Sequence, residues 1–484
     1  MYLGGGHAAR DNGRSNAISP ISLDRRLSLL TLLAALFFLW PLLAYGRPGY
    51  IQDSAAYYKG GRMAVTFVLD KIGQRDAAPA AGNAGDSRVI PGPQTPNDAK
   101  GARSVAYSIA AFVLGAPNAQ MWLLCVLQAL ATGFLSSVTL LLFARPTLPV
   151  WWKLALLAVA TPVAFVVCLA IPDIFAGLVI LAITLLATAH HGLSVGVRTV
   201  STLIAAAAIA FHMSHVPIAL GMTACALAWT AFVRLRLRTP VPRARWLWVA
   251  APFLLGAAAT IAFNFVAFGG PSLTGKRYPL TLARSVAEGP GKWYLDRNCG
   301  HLKYAICEIY PHGVPATINA LLWGPDGLKR RATPEQMDRI RAEESDVVFA
   351  ATRAYPLTEV ERLGTNFARQ LVLFEPGVGL LNSRIVQDPD GTPQLASAGY
   401  SHFWTDVVHW LTAVSLIAAL VVLYRRFRAD PSLRPMILLV VAGILFNDVV
   451  CIYFSGIVDR YGARTIWLLP LLALALLETS RGAA

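Results

Sequence analysis

The chain has 484 residues, of which 55% are hydrophobic and 14% are charged, and its mean hydropathy is +0.52. Soluble domains carry about 25% charged residues, so this composition excludes a water-soluble globular protein. The net charge of +15 comes largely from short tails and connectors between apolar runs, where membrane proteins concentrate cationic side chains, and we expect no nucleic-acid partner.

Apolar runs of membrane-spanning character recur along the chain, and a spanning helix takes about 20 residues. Arg25 and Arg26 precede the first run and no small-residue cleavage site follows it, so we expect a retained helix after a cytoplasmic tail, residues 1–27. The positive-inside rule puts both chain ends in the cytoplasm, because every short basic connector then falls on the same side. The ten predicted spans lie near 28–46, 119–144, 150–171, 174–189, 199–214, 216–233, 246–268, 403–424, 435–455 and 464–479.

Two long regions without spans, 47–118 and 269–402, fall outside the cytoplasm in this topology. Residues 104–115 are apolar but too short to span, which predicts an interfacial helix on the outer leaflet. In the second region, Thr333-Pro-Glu-Gln336 is typical of a capped helix start and predicts a charged helix over 333–354.

These patterns predict an all-α protein, a polytopic bundle of transmembrane helices. Its predicted parts are an N-terminal membrane module over 28–268, an extracytoplasmic region over 269–402 and a C-terminal membrane module over 403–484. Heavy use of Ala, Arg and Gly indicates a bacterial chain, and hence a bacterial inner membrane.

Asp53 is the leading candidate for a functional residue. It follows the first predicted span, at the start of the first outer loop and among Tyr50, Tyr57 and Tyr58. Such aromatic residues suit interfacial packing or stacking on a sugar ring. A solvated loop residue is the alternative for this aspartate, but the nearby helix end fixes its position.

Further polar residues are predicted at the outer ends of spans or within them. Asp173, after Pro172, is either ordinary turn chemistry or a second carboxylate in the same outer cavity. His212 and His215 are three residues apart, which predicts one shared helix face, used for packing or for lining a cavity. Asp448, next to Asn447 within the ninth predicted span, is either functional or part of a structural pair.

Arg460 and Arg464 precede the last predicted span on the outer side, against the usual charge distribution. They therefore need an anionic partner, such as a lipid headgroup or a pyrophosphate. The alternative is pairing with Asp459 or Asp448. Arg103, just before the predicted interfacial helix, is a similar outer cation.

Cys299 and Cys307 lie in a polar segment of the second outer region. If that segment is extracytoplasmic, a disulfide is favoured over two free thiols. Their spacing, without further Cys or clustered His, is a poor pattern for zinc.

These positions together resemble integral-membrane glycosyltransferases of the GT-C superfamily, which use polyprenyl-phosphate-linked sugars. That family has an acidic residue in the first outer loop, an amphipathic helix along the outer leaflet, and a large late extracytoplasmic region. Asp53 matches the acidic residue, 103–115 matches the amphipathic segment, and Asp459-Arg460-Tyr461 looks like the Arg-Tyr found late in such chains. Residues 282–325 are also similar to a group of uncharacterised proteobacterial membrane proteins.

The resemblance implies an inverting sugar transfer at the periplasmic side, with Asp53 as general base and outer arginines stabilising the lipid-phosphate leaving group. It implies membrane lipids and a polyprenyl-phosphate sugar donor as partners. The first loop has one acidic residue near the helix and no adjacent acidic pair, which leaves dependence on a divalent metal open. The predicted substrate-binding residues are Tyr57, Arg103, Tyr107, Asp173, His212, His215, Arg460, Tyr461 and Arg464.

Three other functions compete with this one. A transporter or lipid flippase would have short loops, inverted repeats and charges near the midplane, and the two long outer regions favour the enzyme. A non-catalytic membrane scaffold for envelope polysaccharide assembly is the second alternative. An acyltransferase that uses His212 or His215 is the third.

Overall fold

The computed structural model describes residues 20–73, 101–115, 119–143, 149–236, 238, 242–375, 383–387, 393–397 and 402–477. The predicted cytoplasmic tail up to residue 19 lies outside these ranges. The N-terminal helices are α1 (Arg25–Phe38), α2 (Trp40–Tyr45), α3 (Gln52–Gly73), α4 (Val105–Gly115), α5 (Trp122–Phe143), α6 (Val150–Ala160), α7 (Val163–Val167), α8 (Phe175–Thr188), α9 (Val195–Phe211), α10 (His215–Leu235) and α11 (Arg243–Phe268).

The first outer loop (47–118) and the second outer region (269–402) keep their names from the predicted topology. The second outer region and the C-terminal module supply the remaining elements. Helices of the region are α12 (Leu280–Glu288), α13 (Pro290–Asn298), α14 (Ala305–Ile309), α15 (Ile318–Leu322), α16 (Leu328–Arg331), α17 (Pro334–Ala354) and α18 (Pro356–Gln370). Its strands β1 (Ser383–Gln387) and β2 (Pro393–Ser397) pair antiparallel, with Ser383 opposite Ser397. The C-terminal helices are α19 (Phe403–Ala429), α20 (Arg434–Phe454), α21 (Asp459–Ile466) and α22 (Leu468–Leu476).

The predicted all-α class fits this fold, apart from the two-stranded ribbon, and the protein is a multi-pass membrane protein. Within the described residues, six helices are long and apolar enough to cross a membrane. They are Arg25–Tyr45, Trp122–Phe143, His215–Leu235, Arg243–Phe268, Phe403–Ala429 and Pro431–Phe454.

The other four predicted spans form shorter or interrupted helices, so the count of ten stays a prediction. The run 150–171 is divided between α6 and α7 because Thr161 is extended before Pro162, and a residue before proline disfavours the helical conformation. The run 464–479 is divided between α21 and α22 at Trp467.

Helix α8, predicted as a span over 174–189, is the central helix of the bundle. Its residues from Phe175 to Ala187 are all buried, and it packs against α5, α9, α10, α11 and α20. An apolar helix buried on every side is part of a protein core. It therefore fixes the positions of the helices around it.

The first outer loop contains a helix that sequence analysis did not predict. Helix α3 follows directly after the first span, and α4, at the position of the predicted interfacial helix 104–115, packs along it. A Cβ atom at Gly61 would lie 1.9 Å from the carbonyl oxygen of Ser108 in α4. The glycine therefore weakens the helical pattern in the sequence but permits the close approach of the two helices.

The second outer region has its own hydrophobic core, built from α12 to α17 around residues such as Leu282, Leu295 and Met337. The predicted helix start is confirmed, because Thr333 caps α17 in a reciprocal capping box with Gln336. Cys299 and Cys307 form a disulfide between the end of α13 and α14.

Candidate functional site

Backbone pairing brings the two candidate aspartates to the same place. The N–H of Gly49 donates to the carbonyl of Cys168, and the N–H of Ala170 donates to the carbonyl of Gly49, both at 2.9 Å. This bridge holds the chain before α3 against the chain that leads into α8. Asp53 then lies in the first turn of α3, and Asp173 lies in a short 3-10 turn just before α8.

Asp53 is therefore a helical residue and not the loop residue that the sequence predicted. The first turn of a helix presents unpaired N–H groups and the positive end of the helix dipole, which favour a carboxylate there. The Arg103 guanidinium donates a hydrogen bond to Asp53, and a second guanidinium nitrogen, from Arg460, lies 3.9 Å from its other oxygen.

Arg103 is held by contacts on both sides of it in the chain. The N–H of Ala102 donates to the carbonyl of Lys276 at 2.6 Å, and the hydroxyl of Ser104 donates to the carbonyl of Ala210 at 2.7 Å. These contacts fasten the start of α4 to the second outer region and to α9. Arg103 is thus fixed where these three parts of the chain meet.

Asp173 pairs with both arginines of α21. Guanidinium nitrogens of Arg460 and Arg464 each lie 3.5 Å from a different oxygen of this buried carboxylate. These separations are longer than the 2.7–3.2 Å of a typical hydrogen bond. Asp173 therefore does not use the full hydrogen-bonding capacity of either arginine.

Arg464 is fully buried and its guanidinium is anchored by α20. It donates from Nε to Oδ1 of Asn447 at 2.8 Å, and Asn447 donates in turn to the carbonyl of Tyr461 at 2.8 Å. Asp448 accepts from the Asn447 amide at 3.0 Å. The ion pairs of Arg460 and Arg464 are thus with Asp53 and Asp173, and not with Asp448 or Asp459.

Arg460 remains protonated in this setting. Burial works against its charge, but Asp173, Tyr461 and Asp53 outweigh burial and raise the pKa of the guanidinium. Both arginines also lie over the ring of Tyr461, at 5.2 and 5.1 Å from its centre. Three arginines and two aspartates meet here, and the carboxyl groups of Glu375 and Asp459 line the cavity that opens beside them.

A cavity of about 810 Å³ opens at this cluster. One wall is ionic and the opposite wall is apolar, formed by α10 and α20. Leu220 and Phe454 on the apolar wall are exposed and belong to helices of membrane-spanning length. Among its lining residues are the predicted Asp53, Arg103, His212, Arg460, Tyr461 and Arg464, together with Val216, Pro217, Leu220, Val450 and Phe454.

The two histidines do not share a helix face as predicted, because His212 is extended at the end of α9 and His215 begins α10. Their rings still lie 5.3 Å apart. His212 lines the cavity, and its Nδ1 accepts from the Ser214 N–H at 3.2 Å, so a neutral ring carries its proton on Nε2. His215 is buried, and its Nδ1 lies 2.6 Å from the Ala208 carbonyl, which fixes its orientation.

Tyr57 and Tyr107 form a buried layer behind Asp53. Their rings meet edge to face at 4.8 Å, and the Tyr107 hydroxyl donates to Gln128 at 2.9 Å. Burial raises the pKa of Tyr57. Tyr107 was predicted to bind substrate, but its side chain is fully buried and its hydroxyl is already bonded to Gln128.

Sequence analysis missed the contribution of the second outer region to this cavity. Arg277, Trp323 and Glu375 line it. Arg277 is paired with the buried Glu344, while burial and the nearby Asp459 raise the pKa of Glu375. No short motif marks these residues in the sequence, because they are far along the chain from Asp53 and Arg103 and only folding brings them to the cavity.

Within the described ranges, no group of three or more His, Cys, Asp or Glu side chains could hold a metal ion. Comparisons of the chain with protein-family models, curated proteins and solved structures found no significant match. The chemistry that the cavity offers comes from its own residues: a carboxylate at a helix start, several guanidinium groups beside it and an apolar wall. This combination suits a ligand with an anionic head and an apolar tail.

Proposed function

We propose that the protein is a membrane glycosyltransferase that moves a sugar from a polyprenyl-phosphate donor to an acceptor hydroxyl on the periplasmic side of a bacterial inner membrane. The convergence of Asp53, Arg103, Arg460 and Arg464 at one half-apolar cavity, with the buried Asp173 paired to the last two, supports this proposal most strongly. These residues come from parts of the chain that are far apart in sequence, and the fold brings them to one point.

The donor's phosphate would bind between Arg103 and Arg460. Guanidinium groups bind phosphate oxygens through paired charge-assisted hydrogen bonds, and the contacts of Arg460 with carboxylates, at 3.5 and 3.9 Å, leave it able to bind an added anion. The polyprenyl chain would lie along the apolar wall of α10 and α20, two helices of membrane-spanning length. Such a site takes a lipid-linked donor directly from the bilayer.

Asp53 would then act as the general base. Phosphate binding competes with Asp53 for the Arg103 guanidinium, which frees a carboxylate oxygen to accept a proton. The acceptor oxygen forms a bond to the anomeric carbon while its proton moves to Asp53. The bond from the anomeric carbon to the phosphate oxygen breaks, and the polyprenyl phosphate leaves with that electron pair, stabilised by the arginines.

Asp53→Asn tests this proposal, because an amide keeps the size of the carboxylate but cannot take the proton. In vesicles supplied with a polyprenyl-phosphate sugar and an envelope extract as acceptor, we expect release of polyprenyl phosphate to fall about 10²- to 10⁴-fold, the usual contribution of a general base. Asp70→Asn, at an exposed position of the same helix, should leave the rate unchanged.

Cells provide a second measurement that needs no choice of donor or acceptor. Envelope glycan composition should change when Asp53→Asn replaces the native chain and stay the same with Asp70→Asn. Identical glycans from Asp53→Asn, with normal amounts of folded protein in the membrane, would contradict the proposed role of Asp53.

A further inference from the structure

Helix α18 (Pro356–Gln370) exposes apolar side chains and buries polar ones, although part of its surface is charged. A helix on the surface of a soluble domain buries its apolar side chains and exposes its polar ones. In α18, Leu357 is 85% exposed and Val360 is 70% exposed, while Glu359 is 4% exposed and Gln370 is 1% exposed.

The exposed apolar residues form one continuous face. The exposed Leu357, Val360 and Leu371, with Gly364 and the half-buried Phe367 between them, follow the three- and four-residue spacing that places residues on one side of a helix. Val372, which is 67% exposed, follows at the end of this row. Scattered exposed apolar residues are normal on a soluble surface, but a contiguous face marks an interaction site.

The buried face of α18 is polar because its partners inside the protein are polar. Glu359 accepts from Arg284 at 2.6 Å, and Asn366 donates to Glu288 at 2.7 Å. The Gln370 amide donates to the carbonyl of Val458 and accepts from its N–H, both at 3.1 Å. These bonds fix the rotation of the helix, so its apolar face cannot turn inward.

The position of α18 indicates what covers this face. It packs against α20, one of the membrane-length helices, and against α21, which begins just after α20 ends. The helix therefore lies at the level where the chain leaves the bilayer. Arg362 and Arg369 are exposed and lie two turns apart on the side of the helix turned away from its apolar face, as cationic residues do on the polar face of an interfacial helix.

We infer that α18 is an interfacial helix that lies on the membrane, with its apolar face in the leaflet on the cavity side and its arginines on the polar side that faces water. Amphipathic helices of this kind bury their apolar face at the boundary between headgroups and acyl chains. The surface inferred here is therefore for lipid, and it does not depend on the sugar transfer proposed above.

Spin labels on single cysteines can test this placement in the full chain. The labels go to Leu357→Cys, Val360→Cys and Thr365→Cys, in a Cys225→Ser background because Cys225 is the native free cysteine that is not buried. The protein is reconstituted in vesicles of phosphatidylethanolamine and phosphatidylglycerol. Collision rates are measured with oxygen, which concentrates in the bilayer, and with a nickel chelate, which stays in water.

We expect the ratio of oxygen to nickel collisions to be several-fold higher at 357 and 360 than at 365, which is exposed on a different side of the helix. Equal, water-like ratios at all three positions would overturn the inference. Lipid-like ratios at all three would also overturn it, because they would mean that the helix is inserted and not lying on the surface. Two apolar positions are used so that misfolding of one variant leaves the other to decide the result.

Discussion

Two arginine–carboxylate clusters in this protein use the same side chains in different ways. In the cluster around Arg284, the guanidinium donates to Glu288 and, at 2.6 Å, to Glu359, and it lies 5.2 Å from the centre of the Tyr453 ring. In the cluster around Asp53, the contacts of Arg460 with carboxylates are 3.5 and 3.9 Å long. The first cluster is closed, whereas the second is open at Arg460, although Arg103 there is hydrogen-bonded to Asp53 and Arg464 to Asn447.

Exposure separates the two clusters in the same way. The side chains of Arg284 and Glu359 are 1% and 5% exposed, while those of Arg460 and Asp53 are 22% and 23% exposed and line a cavity. A closed, buried pair can only hold structure together. An open cluster whose guanidinium groups line a cavity can still accept a ligand, so this difference in exposure distinguishes a structural cluster from a candidate site.

Arg284→Leu should have the largest effect on stability. It leaves Glu288 and Glu359 without their cation, and breaking a buried pair in this way costs about 3–5 kcal/mol. We expect a clearly lower melting temperature in detergent, measured by intrinsic fluorescence. Arg297→Leu, at an exposed position of the neighbouring helix α13, should leave it nearly unchanged. Equal melting of both variants would contradict the structural role of Arg284.

The same variant should respond to pH in a defined direction. Burial and Glu359 raise the pKa of Glu288 above its ordinary 4.5, although Arg284 lowers it, so removing Arg284 raises it further. A carboxyl with a raised pKa in the folded state makes the fold less stable as pH rises above 4.5. The loss caused by Arg284→Leu should therefore be smaller near pH 5 than near pH 8, and a constant loss would contradict this account.

Arg460→Lys should separate function from stability in the open cluster. Lysine keeps the charge near Asp173 but lacks the planar fork that binds phosphate through two bonds. The loss of one hydrogen bond to a charged group, about 1.5–3 kcal/mol, corresponds to a roughly 10- to 100-fold lower rate of sugar transfer. The melting temperature should stay close to that of the native chain, and unchanged transfer would argue against a phosphate contact at this position.

Some residues of the open cluster and one helix start could be predicted, because the sequence patterns that mark them are local. Positive charge before the last predicted span marked Arg460 and Arg464, and the Thr333 pattern marked the start of α17. Helix α3 was missed because Gly60 and Gly61 weaken its pattern, and their purpose depends on α4. The cluster around Arg284 was missed because α12 and α18 are distant in the chain.

Helix α18 joins the two clusters, since Glu359 belongs to the closed cluster and Gln370 binds the backbone of Val458, two residues before Arg460. Gln370→Met would remove both hydrogen bonds to Val458 and free the loop that leads to Arg460. Each bond is worth about 0.5–1.5 kcal/mol, so we expect a modest fall in melting temperature together with slower sugar transfer.

Thr365→Met, on the same helix but exposed, is the matched control for both measurements. If Gln370→Met lowers only the melting temperature, the closed cluster supports the fold without positioning the arginine. If it also lowers transfer, the structural cluster sets the geometry of the open one through α18.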